Sequence, residues 1–252
     1  MNQERRSRII DMLNDKNMVT NAEIMETFGV SIETVRRDLS YLEERGLLQR
    51  VYGGAVKKQF LNVEPEYLNR EKTNAEQKRA IAKEAEKLID DGDAVFFDIG
   101  TTSLEVADAL NASKRINAFT NSLRVAIALG EKCASVIVPG GELRNGEFAV
   151  SGSLTESNMQ SFNVRKAIIG VGGITADGVT DYIVSEASIR AQVVKNANTV
   201  IVVADYSKFG VRAVCNVCPP EDIDVLITDA RAPKEILRAF EKKGVRVIVV
   251  KA

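Results

Sequence analysis

Residues 31–56 read SIETVRRDLSYLEERGLLQRVYGGAV, and this stretch decides the predicted fold of the amino-terminal part of the chain. Ser31 is a favourable N-cap, and the pattern after it predicts a helix that runs to about Glu44 and is closed by Gly46. Because successive helical residues are offset by about 100°, the apolar residues share one face, which is predicted to pack, and the polar residues lie opposite. The polar face carries Thr34, Arg37 and Tyr41, with Arg36 at its flank.

Two shorter helices are predicted before this one. The apolar periodicity of residues 5–14 favours the first, and Thr20 and Glu23 have the spacing of a capping box at the start of the second. Gly29 is predicted to end the second helix in a left-handed conformation, which leaves a very tight turn before the third. After the third helix, two short β-capable runs surround a pair of glycines, as in a hairpin. Together these elements predict a winged helix-turn-helix over residues 1–58.

The polar face of the third helix is the candidate DNA reader. An exposed arginine on such a helix can grip phosphate or make a bidentate contact with guanine. The alternative is a solvated charged face, but the tight turn, the paired arginines and the glycine-containing wing favour DNA binding. Charge alone does not, because residues 1–58 hold ten Lys or Arg against nine Asp or Glu and the whole chain has a net charge of −1. The candidate DNA-binding residues are Ser31, Thr34, Arg36, Arg37, Tyr41, Arg50, Tyr52 and Gly53.

The remainder of the chain predicts a second, larger domain. Residues 59–73 are polar, contain Pro65 and lack sustained periodicity, which favours a linker. A long amphipathic helix over residues 74–90 then leads into seven short apolar runs that alternate with helix-length segments. This alternation predicts an α/β domain with a mostly parallel sheet over residues 74–252.

Ligands of open parallel sheets bind beyond the carboxyl ends of the strands. The loop 98–103 combines a glycine, hydroxyls and the start of a helix, which suits phosphate, although a plain N-capped turn is the alternative. Loops 120–122, 139–144 and 205–210 follow other predicted strands and add hydroxyls, amides, an arginine and a lysine. Together they would suit a small, anionic, polyhydroxylated ligand. The glycines of residues 170–173 are assigned instead to close packing or a turn.

The three cysteines do not favour a site of their own. Cys215 and Cys218 form a C-x-x-C, the spacing of half a zinc site or of a redox pair, and Cys133 stands apart. Because the chain has no histidine and no second C-x-x-C, local packing is the favoured interpretation, and no metal or cofactor is predicted. Residues 1–10 are polar and no run is long enough to cross a bilayer, so we expect a cytoplasmic protein without a membrane partner.

A family resemblance extends over nearly the whole chain. Residues 30–39, continued by residues 42–55, closely resemble the signature of the DeoR family of bacterial regulators. One departure is Tyr52, where the family commonly has histidine, so a wing contact through an imidazole cannot be assumed. Further stretches resemble landmarks of the family's sensor domain: Arg70-Glu71, residues 78–82, 98–102 and 120–122, Gly140-Gly141 and residues 204–210.

The resemblance implies a sensor domain similar to ribose-5-phosphate isomerase and a repressor of a carbohydrate operon that a phosphorylated sugar releases from its operator. Arg190 is a conservative departure from a lysine in the family, and such an exchange can alter a pocket contact. The residues implied to bind the effector are Asp98, Gly100, Thr101, Thr102, Asn121, Gly140, Gly141, Arg144, Glu186, Arg190, Asp205 and Lys208.

The predicted reader is small and nearly neutral, so alone it offers few phosphate contacts. We therefore expect a homo-oligomer, dimer or higher, that places two heads on repeated half-sites of double-stranded DNA. Effector binding is expected to favour an arrangement of heads that cannot span those half-sites.

Two other functions are compatible with the same residues. The carboxyl-terminal domain would be an isomerase if Asp98, Asp181, Glu186 or Asp205 served as a base and Lys208 gave electrostatic support. It would be a plain dimerisation module if it bound no ligand. A DNA reader on the same chain makes sensing the simpler use of the polar loops.

Overall fold

The computed structural model describes residues 2–16, 18–44, 47–51, 53–56 and 64–251. Its amino-terminal part, which we call the head, consists of the described residues up to Val56. The three predicted helices and the predicted wing are confirmed. They are α1 (Asn2–Lys16), α2 (Asn21–Phe28), α3 (Ile32–Glu44), β2 (Gln49–Val51) and β3 (Gly54–Val56).

Short-range signals in the head act as predicted. The Thr20 hydroxyl accepts a hydrogen bond from the Glu23 amide, and the Glu23 carboxylate accepts one from the Thr20 amide, so both halves of the capping box are present. Gly29 has φ 61° and ends α2 in the left-handed conformation. A strand that the sequence did not reveal, β1 (Met18–Thr20), pairs with β3, and the wing is a three-stranded antiparallel sheet in the order β1-β3-β2.

The larger domain contains one seven-stranded sheet, and every described pairing within it is parallel. The strand order is β15-β14-β12-β9-β4-β5-β6. The prediction of a mostly parallel sheet from seven apolar runs is therefore confirmed. The strands are β4 (Ala94–Phe97), β5 (Asn117–Phe119), β6 (Ser135–Ile137), β9 (Val164–Ile169), β12 (Ala197–Val203), β14 (Val225–Asp229) and β15 (Arg246–Val250).

Helices cover both faces of this sheet. Apolar residues of α5, α6 and α7 form one buried cluster with the sheet, and those of α9 and α10 form a second. Both faces of the central strands are therefore buried, which explains why these strands read as continuous apolar runs. The helices are α4 (Tyr67–Lys72), α5 (Ala75–Glu86), α6 (Thr101–Ala109), α7 (Leu123–Leu129), α8 (Ser153–Met159), α9 (Val184–Asn196) and α10 (Lys234–Lys242).

Two small antiparallel sheets, which the sequence did not reveal, lie outside the main sheet. One is the pair β7 (Glu142–Arg144) and β8 (Ala149–Ser151). The other is β10 (Gly173–Thr175), β11 (Gly178–Asp181) and β13 (Cys215–Cys218). Here the predicted close packing of glycines is confirmed, because a Cβ on Gly173 would lie 2.3 Å from the Val211 carbonyl oxygen.

The C-x-x-C lies along β13. Cys215 and Cys218 are free thiols, and residues three apart on a strand point to opposite faces. Burial raises the pKa of Cys218 to about 12, which disfavours the thiolate that metal binding and disulfide exchange require.

The predicted linker lies partly on residues that the structure does not describe. Its described part, residues 64–73, carries α4, and we call this segment the strap. Among the described residues, no helix has the length and the apolar character that are needed to span a membrane.

Candidate functional site: the DNA-reading face and the effector cleft

Two arginines on α3 form the exposed part of the candidate DNA-reading face. Arg36 and Arg37 are both exposed, and they follow the N-terminal turn of the helix. Ser31 stands just before that turn, and its hydroxyl lies 3.2 Å from the hydroxyl of the half-buried Thr34. The two arginines are thus presented to solvent on a helix whose opposite side is packed into the head.

Other candidate DNA-binding residues are engaged within the head. The guanidinium of Arg6 lies over the Tyr41 ring, 3.5 Å from its centroid, so α1 covers one face of that ring. Arg50 donates from Nη1 to the Ser40 hydroxyl at 2.6 Å, which ties the wing to α3. Gly53 has φ 86°, a left-handed conformation that favours glycine at the wing turn. Tyr52 lies outside the described residues.

Asp38 fixes α3 against α1 and was not among the predicted residues. Its side chain is 2% exposed, and its two oxygens accept from Arg5 Nε at 2.6 Å and from Arg6 Nε at 2.7 Å. A sequence signal was present, because Asp38 stands three residues after Val35 and therefore falls on the buried stripe of the helix. A buried carboxylate of this kind needs charged partners, and the basic pair of α1 supplies them.

In the larger domain, the carboxyl end of β4 is occupied by an ion pair. Asp98 is buried and accepts hydrogen bonds from the amides of Ile99 and Gly170 and, at 2.6 Å, from Arg190 Nε. Burial raises the pKa of Asp98, and the Arg190 guanidinium opposes that shift. Arg190 Nη1 also lies 2.8 Å from Asp181 Oδ2. The predicted effector residues Asp98 and Arg190 thus form an ion pair with each other inside the domain.

The four carboxylates considered as catalytic bases are all held by other groups. Asp181 accepts from the amides of Tyr182 and Ile183 in addition to its pairing with Arg190. Asp205 Oδ1 accepts from the Ser207 amide at 2.9 Å and from Asn74 Nδ2 at 2.8 Å. Glu186 pairs with Arg144 at 2.9 Å. The contacts of Asp181 and Asp205 organise loops and helix ends. Glu186 differs, because burial raises its pKa to about 8 and neither of its oxygens has a hydrogen-bond partner among the described residues.

Two adjoining cavities lie beyond the strand ends. The smaller, about 30 Å³, is bounded by the loop at the start of α6, by Arg190 and by the strap; we call it the small pocket. The larger, about 500 Å³, is bounded by α5, by the segment after β12 and by the strap; we call it the cleft. Arg70, Thr101, Gly172 and Lys208 line both cavities. Gly100 and Thr102 line the small pocket, and Asp205 lines the cleft.

Three basic side chains from three different segments line the cleft: Arg70 from the strap, Lys78 from α5, and Lys208 from the 3-10 turn Tyr206–Lys208. Lys78 is 3% exposed, and its ammonium donates to the Arg70 carbonyl oxygen. Burial lowers the pKa of Lys78 to about 8; Asp205 opposes this shift, and Lys208 and Arg70 add to it. Burial also lowers the pKa of Lys208, and Asp205 again opposes the shift.

The sequence reasoning missed Arg70 and Lys78 as site residues. A signal for Lys78 exists, since it stands three and four residues before Ile81 and Ala82 and therefore lies on the buried stripe of α5. Because lysine is rarely fully buried without a partner, a lysine on such a stripe indicates a bound partner or a functional role. Arg70 falls in a stretch without periodicity, and its signal was the resemblance of Arg70-Glu71 to a landmark of the family's sensor domain.

The other predicted effector residues lie away from these two cavities. Asn121 is buried and donates from Nδ2 to the Val150 carbonyl oxygen at 3.3 Å. The Gly140 carbonyl oxygen accepts from the Thr155 hydroxyl at 2.6 Å. A Cβ on Gly141 would lie 2.1 Å from that hydroxyl. Arg144 and Glu186 pair with each other, and Arg144 also pairs with Glu64 of the strap.

The head reaches the outer end of the cleft. Glu43, Glu44, Leu48 and Gln49 contribute to its lining. Arg231, which follows β14, donates to the carbonyl oxygen of Glu44 at the end of α3. A ligand in the cleft would therefore lie beside both parts of the chain.

Comparison with known proteins adds two family matches and several full-length relatives. A model of the DeoR-like helix-turn-helix domain matches residues 5–59, and a model of the DeoR C terminal sensor domain matches residues 73–230. The chain is 36% identical over 246 residues to the HTH-type transcriptional regulator GlpR of Haloferax volcanii, which covers 97% of this chain and 96% of that protein. It is 33% identical to the glycerol-3-phosphate regulon repressor of Escherichia coli (strain K12), with 94% of each covered. It is also 33% identical to the transcriptional repressor GlcR of Bacillus subtilis, with 98% and 96% covered.

Among solved structures, similarity extends over about half of the chain. Ribose 5-phosphate isomerase A of Methanocaldococcus jannaschii aligns with a TM-score of 0.41 at 17% identity, covering 54% of this chain and 55% of that one. Translation initiation factor eIF-2B of Pyrococcus horikoshii OT3 aligns with a TM-score of 0.43 at 23% identity, covering 60% and 62%.

Proposed function

The chain belongs to the DeoR family of DNA-binding transcription regulators, and from this premise we propose that it represses a carbohydrate-metabolism operon until a phosphorylated sugar binds in the cleft. The relatives named above are regulators or repressors, and one is named for a glycerol-3-phosphate regulon. The head reads the operator, and the larger domain is the sensor. In this proposal the sensor domain carries no catalytic step.

One observation carries the proposal of an anionic effector: Arg70, Lys78 and Lys208 converge on a cleft of about 500 Å³. Of the carboxylates that line this cleft in the sensor domain, Asp205 is the one whose charge acts on both lysines. A phosphate would supply the missing negative charge, and its oxygens accept charge-assisted hydrogen bonds from such groups. Ser207, Tyr206 and Thr101 add hydroxyls for the polyhydroxylated part of the ligand.

Of the residues predicted from the sequence, we assign direct effector contacts to Thr101, Asp205 and Lys208. We add Arg70 and Lys78. Asp98, Glu186 and Arg190 then act behind the site as a charged framework, since both carboxylates pair with Arg190. For DNA, we propose that Arg36 and Arg37 make the principal contacts from α3 and that Arg50 contacts the backbone from the wing.

Calorimetry on the full chain with a panel of sugar phosphates, together with gel shift on its operator, tests this function. A binding member of the panel should release the operator. Lys208→Met should lose effector binding while keeping operator binding, and Lys234→Met, an exposed lysine on α10, should behave as the unmodified protein. If no member of the sugar phosphate panel binds, the proposed sensing role is wrong, and a plain dimerisation module is the favoured alternative.

We also propose a cytoplasmic homo-oligomer, dimer or higher, in which two heads occupy repeated half-sites. The support is the sparse basic surface of a single head, where α3 presents two exposed arginines and β2 one. Few phosphate contacts give weak binding and a shallow salt dependence. A second head would about double the number of phosphate contacts, which strengthens the binding and steepens its salt dependence. Sedimentation of the operator complex should give at least two chains per operator; one chain at full occupancy would refute the arrangement.

A further inference from the structure

We infer that Arg231 latches the head onto the sensor domain and that a phosphate in the cleft opens this latch by repelling the acidic end of α3. The inference rests on the proposed function and names the contact through which effector binding reaches the head. The latch consists of the Arg231 side chain, the Tyr206 ring and Glu44, the last residue of α3.

Arg231 contacts both parts of the chain with one guanidinium group. The group donates to the carbonyl oxygen of Glu44, and it lies over the Tyr206 ring, 3.7 Å from the ring centroid. Carbonyl groups at the C-terminus of a helix lack partners within the helix and carry partial negative charge, so a cation is favourable there. Arg231 therefore stabilises the end of α3 only while the head is docked on the sensor domain.

The latch shares a turn with the proposed effector site. Tyr206 stands between Asp205 and Ser207, and all three line the cleft. Asp229 fixes this turn to Arg231, because its carboxylate accepts from the Tyr206 amide at 2.7 Å and from the Arg231 amide at 3.0 Å. The contact with the head and the effector-binding turn are therefore parts of one hydrogen-bonded unit.

The head turns an acidic edge towards the cleft. Among the described residues, those that the head contributes to the lining are Glu43, Glu44, Leu48 and Gln49. Glu44 is exposed and Glu43 is half-buried, and both stand at the end of α3. Within this described set, the head brings two carboxylates and no basic group to the cleft.

The opposite wall of the cleft is positive until a phosphate binds. Arg70 is already paired with carboxylates of the strap and of the β7–β8 turn. The charge that faces the head therefore comes from Lys78, Lys208 and Asp205, two cations and one carboxylate. A phosphate monoester brings about two negative charges at neutral pH, which reverses the sign of this wall. Attraction between the wall and the carboxylates of the head then becomes repulsion, and the docked position is destabilised.

The head, and not the strap, is the part that can move away. A phosphate held by Arg70, Lys78 and Lys208 ties the strap to the sensor domain, because Arg70 belongs to the strap. Residues 57–63 connect the strap to β3, and seven residues span at most about 25 Å. The head can therefore leave the surface of the sensor domain while the strap stays in place.

The docked position leaves the DNA-reading face open. Arg36 and Arg37 are exposed while the head is docked, and they lie about 10–12 Å along the helix from Glu44. Docking thus fixes the orientation of the head without covering its reader, and two heads in fixed positions can match the spacing of repeated half-sites. Released heads lose that fixed spacing, so their affinity for the operator falls.

Two variants of the full chain test the latch: Arg231→Gln, which removes the guanidinium, and Arg238→Gln, the same change at an exposed position of α10. Because the sugar phosphate prefers the released head, a weaker latch raises the binding-competent fraction. Arg231→Gln should bind glycerol 3-phosphate or glucose 6-phosphate about three- to tenfold more tightly in calorimetry. It should bind the operator more weakly by a similar factor in a gel shift. Arg238→Gln should stay within about twofold of the unmodified protein in both assays.

The calorimetry separates the latch from a direct role of Arg231 in DNA binding. It is carried out without DNA, so the loss of a DNA contact would leave the sugar phosphate affinity unchanged. Equal or weaker sugar phosphate binding by Arg231→Gln would therefore overturn the inference.

Glu44→Gln tests the charge effect, with Glu26→Gln at an exposed position of α2 as its control. Removal of one carboxylate weakens the repulsion by the phosphate. The ratio of the operator affinities without and with saturating sugar phosphate should therefore fall about twofold or more in Glu44→Gln. Glu26→Gln should keep the ratio of the unmodified protein. The same ratio in both variants would refute the repulsion.

Small-angle scattering of the full chain measures the docking itself. Saturation with the sugar phosphate should raise the radius of gyration of the unmodified protein, and Arg231→Gln should show the larger radius without ligand. A radius that saturation leaves unchanged would overturn the inference and leave the sensing function intact. If no phosphorylated compound binds any of these proteins, the sensing function itself fails, and an unchanged radius in Arg231→Gln would show separately that Arg231 does not hold the head.

Discussion

Effector binding should weaken steeply as the pH rises from 7 to 9, because Lys78 loses its proton in this interval. Its pKa is lowered from 10.5 to about 8 by burial and by its basic neighbours, with Asp205 opposing. A bound phosphate stabilises the charged ammonium and returns the pKa towards 10.5, so protonation and binding favour each other. In the free protein the charged fraction falls from about nine-tenths at pH 7 to about one-tenth at pH 9, and the dissociation constant should rise about tenfold, which is about 1.4 kcal/mol.

Isothermal titration at pH 7, 8 and 9, with the tightest-binding sugar phosphate, measures this change. The second pKa of a phosphate ester is about 6, so the ligand keeps its charge throughout. Lys78→Arg stays charged at every pH and should lose most of the dependence, with Lys208 contributing the remainder in the same direction. Lys234→Arg is the matched control on the surface. A change below about threefold in the unmodified protein, or full dependence in Lys78→Arg, would refute a buried ammonium at the phosphate site.

Four further variants probe the head and the glycine turns. Arg37→Ala should weaken operator binding about tenfold or more in a gel shift while leaving sugar phosphate affinity unchanged; loss of both activities would contradict separable sites. Asp38→Ala removes the buried carboxylate that accepts from both Arg5 and Arg6, so the free energy of unfolding should fall by about 2–3 kcal/mol, seen in calorimetry as a melting transition of the head lowered by roughly 10 °C; an unchanged transition would contradict the anchoring role. Gly141→Ala should lower the free energy of unfolding by about 2–4 kcal/mol, measured by urea denaturation, since its Cβ would lie 2.1 Å from the Thr155 hydroxyl. Gly146 has φ 83° and open space around it, so Gly146→Ala should lower the free energy of unfolding by about 1 kcal/mol. Equal losses of stability in the two glycine variants would argue against the clash at Gly141.

Sequence reasoning succeeded where a structural feature has a local physical cause. The capping box at Thr20 and the left-handed Gly29 each depend on residues within four positions, and both are present as predicted. The central strands of the parallel sheet were recognisable because both of their faces are buried, whereas the edge strands β6 and β15 are short apolar runs that are only partly buried. Strand β1 was missed because three residues give no periodicity, and it exists only through its pairing with β3.

The residues predicted to bind the effector divide between the cleft and other parts of the sensor domain, because polar residues at strand ends look alike in a sequence. Thr101, Asp205 and Lys208 line the cleft, whereas Asp98 is paired with Arg190 across 92 positions of sequence. A pairing over that distance leaves no local signal. Gly140 and Gly141 follow a strand as expected, but they pack against α8.

Charge compensation separates two kinds of cation in the sensor domain. Arg190 is surrounded by Asp98, Asp181 and Glu186, so its charge is compensated within the protein. Removing Arg190 would leave buried carboxylates without their counter-charge. Lys78 and Lys208 are different, because burial lowers both pKa values and Asp205 only opposes the shift. Cations that the fold leaves under-compensated carry a cost in stability that natural proteins retain mainly at functional sites. Lys78→Met should therefore raise the free energy of unfolding at pH 7 while it abolishes phosphate binding, whereas a variant less stable than the unmodified protein would place Lys78 with Arg190 in the framework.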